Sequence, residues 1–235
     1  MRGKKILKWV VISCILTVVL VAVYVLGVNL KRIHDYSTDV DKSNVLEYVT
    51  FVGQVSDINK ERVAEVLETQ VFDASLNYVV NSGGKIVVVY SEDASVREYL
   101  NETYDLGLIN TGYGLSGTTI PYRDIFGLVH KVDVFVYASD MGIGDLGHEM
   151  GHVYDVSHNY ISADDEFMEL YKNRENISEK ANGQATAFRD YYESNEREYF
   201  AEFCKRYLKG QFKRGKNTET DMVLDYFESL GEKVS

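Results

Sequence analysis

The chain has 235 residues, 45% of them hydrophobic and 26% charged, a balance that excludes a disordered or fibrous protein. Six of the 25 basic residues and none of the 36 acidic ones lie at or before Arg32, so the rest of the chain carries a formal charge of −17. Such an excess excludes nucleic acid as a natural partner.

Residues 1–8 form a short basic N-terminus, and residues 9–30 (WVVISCILTVVLVAVYVLGVNL) carry no charge. About 20 apolar residues cross the hydrocarbon core of a bilayer as a helix. Arg2, Lys4, Lys5 and Lys8 precede the run, and only Lys31 and Arg32 follow it closely. That asymmetry puts the N-terminus inside and the rest outside, as a single-pass membrane protein. A cleaved signal peptide, giving a secreted protein, is the alternative. The apolar run is long for one, and no small-x-small cleavage site follows it. Cys14 and Cys204 are too few and too far apart for a disulfide framework in the domain.

Residues 31–56 read as a polar stalk, and 57–235 as the folded domain. Apolar spacing predicts one helix from Asp57, a candidate N-cap, to Asn81, ended by Gly83 and Gly84. Lys85 to Tyr90 (KIVVVY) predicts a buried strand, and 93–101 a short helix. Residues 107–130 are rich in turn residues, with a strand at Thr118-Thr119-Ile120. Val132 to Ala138 (VDVFVYA) predicts a further strand. Helices are expected from Gly144 to about Ser157 and over 164–174, 195–208 and 219–230. Strands first and helices afterwards predict an α+β fold with a small mixed sheet, preceded by one transmembrane helix.

The chemistry concentrates at His148-Glu149-Met150-Gly151-His152. Two histidines four apart share one face of a helix and can bind one ion, and zinc is the metal such a pair most often holds. Glu149, beside the first of them, is placed to take a proton from the attacking water and pass it to the leaving amine. Catalytic zinc takes three protein ligands, and two sources of the third compete. His158 has the spacing of the metzincin pattern, but Asp155 stands where that pattern needs a glycine to break the helix. Downstream, Glu198 and Glu202 lie one helical turn apart on one face in Asn195-Glu196-Arg197-Glu198-Tyr199-Phe200-Ala201-Glu202. An acidic, solvated helix face would read the same way.

These two stretches together, with Val153-Tyr154-Asp155 continuing the first, resemble the anthrax lethal factor catalytic-domain family, which includes the clostridial Pro-Pro endopeptidases. The resemblance spans roughly 60–230 and is strongest over 112–208. It takes in Gly112 to Gly117, the Asp124 to Gly127 turn and the strand ahead of the metal helix. It implies a zincin-like metallopeptidase domain with an active-site helix and a C-terminal helical subdomain. It also implies a gluzincin-type zinc site of His148, His152 and Glu198, with Glu149 as general base and Tyr191, seven residues before Glu198, as catalytic tyrosine. Asp155 matches the family's aspartate after the second histidine. Glu202 is then placed to orient a ligand histidine, and Asp155 to brace the end of the metal helix. The chain departs from the small secreted members in its apolar N-terminus and in the residues of 112–131. The expected function is a membrane-anchored extracellular zinc endopeptidase, whose peptide substrate pairs as an extended strand with Thr118-Thr119 or with Val132 to Ala138. The alternatives are a metzincin-type protease using His158 and a non-catalytic metal-binding surface module.

Overall fold

Arg2 to Ser37 form one helix, α1, about 54 Å long at 1.5 Å per residue. Its stretch from Trp9 is long and apolar enough to cross a membrane. The computed structural model describes residues 2–90, 117–140, 142–143, 145–174, 194–208, 210–215 and 218–233. The helix expected over 93–101, the glycine-rich stretch before Gly117, and Tyr191 lie outside them.

The stretch read as a stalk is part of the fold. Past the apolar run α1 continues to Ser37 and lies along α3 (Asp73–Asn81). Asn81 Nδ2 donates to the carbonyls of Asp35 and Thr38 (2.9 and 2.8 Å), and Asn77 Nδ2 donates to that of Tyr36 (3.2 Å). Val49–Val52 then form strand β1, which pairs in parallel with β2 (Ile86–Tyr90). The run Val-Thr-Phe-Val is short but has strand composition, and Val49 and Phe51 pack on the main core.

Residues 57–81 form two helices, α2 (Asp57–Leu67) and α3, joined by a 3-10 turn at Gln70–Phe72. Val63 and Leu67 are buried, as are Phe72 and Leu76. Nine residues separate Val63 from Phe72, two and a half helical turns, so an unbroken helix would face the two pairs oppositely. The break lets both face the core. Ser56, rather than Asp57, caps α2, its side chain accepting from Asn59 N at 3.3 Å.

The sheet has the order β1-β2-β4-β3, with β3 Gly117–Arg123 and β4 Val129–Ser139. The β1–β2 and β2–β4 pairs are parallel, and β3 runs antiparallel to β4. A two-residue strand, β5 (Gly142–Ile143), pairs with the end of β4. Ile86, Val88, Val132, Val134 and Val136 face the main core, while Val87, Val89 and Phe135 form a smaller cluster on the other face. The helix α4 (Leu146–Ser157) packs on the sheet through β3 and β4, and against α3. The helices α5 (Asp165–Lys172), α6 (Glu196–Leu208) and α7 (Thr218–Lys233) complete an α+β architecture.

Candidate active site

Helix α4 starts where Asp145 accepts a hydrogen bond from His148 N (3.3 Å). Leu146, Met150 and Val153 are its fully buried apolar side. His148 and His152 share another side, their rings 4.7 Å apart and nearly perpendicular. Helix α6 starts at Asn195, whose Oδ1 accepts from Arg197 N and Glu198 N (3.0 and 3.1 Å) and so fixes the turn that carries Glu198. Tyr199, Phe200 and Phe203 anchor α6 in the core.

The two helices touch at their smallest residues. A Cβ on Gly151 would lie 2.9 Å from Ala201 Cα and 3.0 Å from its carbonyl oxygen. This closeness brings Glu198 of α6 over the histidine face of α4. Glu198 Oε2 lies 3.1 Å from His148 Nε2 and 3.5 Å from His152 Nε2. One ligand atom from each of His148, His152 and Glu198 falls within 4.8 Å of the others. Tetrahedral zinc, with bonds of about 2.0–2.1 Å, needs donors about 3.3 Å apart. Two imidazoles and a carboxylate at this spacing therefore fit a zinc ion.

A cationic clamp stands behind the triad. Glu202, almost fully buried, lies 3.5 Å from His148 Nδ1 and accepts from Arg206 Nε at 2.6 Å, while Lys205 pairs with both Glu202 and Asp145. Burial works against the charged form of His148, but the Glu198 and Glu202 carboxylates outweigh it and raise its pKa to about 9. Burial also raises Glu202, but His148, Lys205 and Arg206 bring it down to about 2. Burial opposes ionisation of Glu198 as well, and the two histidines hold it well below the usual carboxylate range. The two carboxylates, one turn apart, bracket the His148 ring, one at each nitrogen.

Glu149, next to His148 in sequence, meets the sheet. Its Oε2 accepts from Thr119 Oγ1 of β3 at 2.7 Å, and a Cβ on Gly117 would fall 2.7 Å from its Cγ. Burial raises its pKa against the pull of His152 and His148. A shift in this direction makes the carboxylate a better proton acceptor.

Asp155 lies on α4 below His152, almost fully buried, and its Oδ1 accepts from Ser162 N at 2.7 Å. Its backbone carbonyl accepts from Tyr160 N at 2.7 Å. Between these bonds Asn159 and Tyr160 take left-handed conformations, with φ 64° and 62°. That geometry costs roughly 1–2 kcal/mol for each non-glycine residue, so the turn needs the bracing.

The structure does not bring His158 to the triad. Helix α4 runs unbroken to Ser157, and ten residues at 100° each carry His158 away from the face of His148. His158 is stacked on Tyr154 at 4.0 Å and on Tyr36 of α1 at 4.5 Å, and its Nδ1 lies 2.9 Å from the Tyr154 carbonyl. A third ligand from His158 is therefore set aside. Val132 to Ala138 also fails as an exposed edge, because it lies in β4 between β2 and β3. Thr118 and Thr119 lie on β3, the terminal strand of the sheet among the described residues.

Sequence reasoning missed three contributors: Gly151 as the contact with α6, Thr119 as the partner of Glu149, and the Lys205–Arg206 clamp. The clamp was within reach, since Lys205 and Arg206 lie three and four residues after Glu202, at helical contact spacing. The other two depend on tertiary contacts between distant segments.

No family model matches the chain, and no curated protein does. Among solved structures, the chain is similar to the Pro-Pro endopeptidase of Paenibacillus alvei, with 17% identity and a TM-score of 0.48 over 79% of this chain and 98% of that one.

Proposed function

We propose that the protein is a membrane-anchored, extracellular zinc endopeptidase of the gluzincin type, with α1 as its membrane span. The observation that carries this reading is the convergence of His148, His152 and Glu198 within 4.8 Å, with the buried Glu149 carboxylate on the same helix. His148, His152 and Glu198 would hold the ion. Bound there, zinc would supply Lewis acidity to a peptide carbonyl and lower the pKa of the attacking water.

The rest of the work falls to the chain's own groups. Glu149, fixed by Thr119, takes the proton of the attacking water and returns it to the leaving amine. Glu202 orients His148, and the Lys205–Arg206 clamp keeps Glu202 ionised while it does so. Asp155 steadies the turn that ends α4. Tyr191 is assigned from the family resemblance alone as the donor to the developing oxyanion. The substrate lies extended along β3, adding a strand beside Thr118 and Thr119, so that its backbone passes next to Glu149.

The test is zinc content and peptide cleavage of the full chain in detergent, beside Glu198→Ala and Glu149→Gln. Roughly one zinc per chain is expected in wild type and Glu149→Gln, with a marked loss in Glu198→Ala. Cleavage of a mixed peptide library, read by mass spectrometry, is expected from wild type and not from Glu149→Gln. Zinc retained by Glu198→Ala would overturn the ligand set. Zinc without cleavage by wild type would make the protein a metal-binding surface module.

A further inference from the structure

Outside α1, three large apolar side chains stand exposed among the described residues: Ile58, Ile125 and Phe126. Two of them form the tip of the β3–β4 hairpin, where Ile125 is 93% and Phe126 is 49% exposed. The tip is built to present them. Asp124 Oδ1 accepts from Phe126 N (2.8 Å) and Leu128 N (3.0 Å), and Gly127 closes the turn with φ +78°. Two adjacent apolar side chains held exposed on an ordered turn offer a small apolar surface to an occupant.

The neighbour of the tip identifies that occupant. Tyr24 of α1 packs its ring 5.4 Å from that of Phe126 and donates its hydroxyl to Asp124 Oδ2 at 2.6 Å. Tyr24 lies inside the uncharged run 9–30, six residues before its end, which is about 9 Å of helix. Trp9 opens the same run, about 22 Å from Tyr24 along the helix. A hairpin tip in contact with Tyr24 therefore reaches the lipid boundary rather than open water. Lys31 and Arg32 follow the run on the same side, about 10–12 Å of helix beyond Tyr24.

We propose that the Asp124–Gly127 turn is a second membrane contact, with Ile125 and Phe126 seated at the headgroup–acyl boundary of the leaflet from which α1 emerges. The domain is then held to the bilayer at two points and cannot swivel freely on its anchor. This inference rests on the reading of α1 as the membrane span.

The chain's single tryptophan, Trp9, makes a direct test possible. The full-length double variant Trp9→Phe/Phe126→Trp moves that one fluorophore to the hairpin tip. It is reconstituted in phosphatidylcholine vesicles whose acyl chains carry bromine near the headgroup. Wild type is run alongside, so that Trp9 reports on the span. The double variant is expected to lose emission to an extent comparable with wild type, and to lose less when Ile125→Asp is added. Quenching of wild type with none of the double variant would overturn the second contact and leave the span intact. Quenching of neither protein would overturn the span and this contact together.

Discussion

The imidazole of His158 is spent on packing. It lies between two tyrosine rings, and its Nε2 is buried without a hydrogen-bond partner. Burial first, and the Arg32 charge with it, brings its pKa down to about 4. An unfolded histidine titrates near 6.5, so below that pH the unfolded chain takes up a proton that the folded one refuses. Stability should be unaffected by this group above about pH 7 and should fall between about pH 6.5 and 4, by up to about 3 kcal/mol. His158→Phe should flatten that part of the pH dependence of thermal unfolding while keeping zinc bound. Loss of zinc in that variant would return His158 to the ligand set. At this scale the sequence is informative where chemistry is local. Histidines four apart on one helix declare themselves, whereas nothing near Thr119 signals a partner thirty residues away.

The contact between α4 and α6 sets the geometry of the triad, and Gly151 sets the contact. An alanine there would gain up to about 1 kcal/mol of helix propensity, but its methyl would press on Ala201 backbone atoms that cannot rotate away. Overpacking of this kind costs about 1–3 kcal/mol, so the clash should win. Gly151→Ala is expected to lower the unfolding midpoint and to weaken zinc binding, since spreading the helices draws Glu198 from both histidines. A more stable variant with unchanged zinc affinity would mean that the helices can separate without cost. Helix and strand identities here are largely legible from periodicity, and the misreadings have definite causes. The division of 57–81 into α2 and α3 is a phase shift hidden by continuous apolar spacing. Strand β1 is four residues long and gains its stability from pairing with β2, which no local pattern encodes.

Across the whole molecule, α1 is a structural member as well as the proposed span. Its last turns accept hydrogen bonds from Asn77 and Asn81, and Arg32 Nη1 donates to Asn159 Oδ1 at 2.8 Å. A fragment beginning at Val28 keeps these contacts, and one beginning at Asp39 loses them together with the Tyr36 ring. At about 1 kcal/mol for each net hydrogen bond, the shorter fragment should be less stable by about 2–4 kcal/mol, as read by urea unfolding. Equal stability of the two would reduce α1 to a tether. This docking is the part of the architecture least legible in sequence, because residues 31–48 are polar enough to pass for a linker.

Strand β3 joins the hairpin tip to Thr119, the partner of Glu149, and its length is a ruler. From Ile125 back to Thr119 is six residues, at most about 20 Å of extended chain. With the tip resting on lipid, Glu149 can stand no higher than that above the bilayer surface. Such an enzyme would trim the first few residues of ectodomains as they leave the membrane, and peptides drifting close to it. Sites farther up a tall neighbour would remain out of its reach.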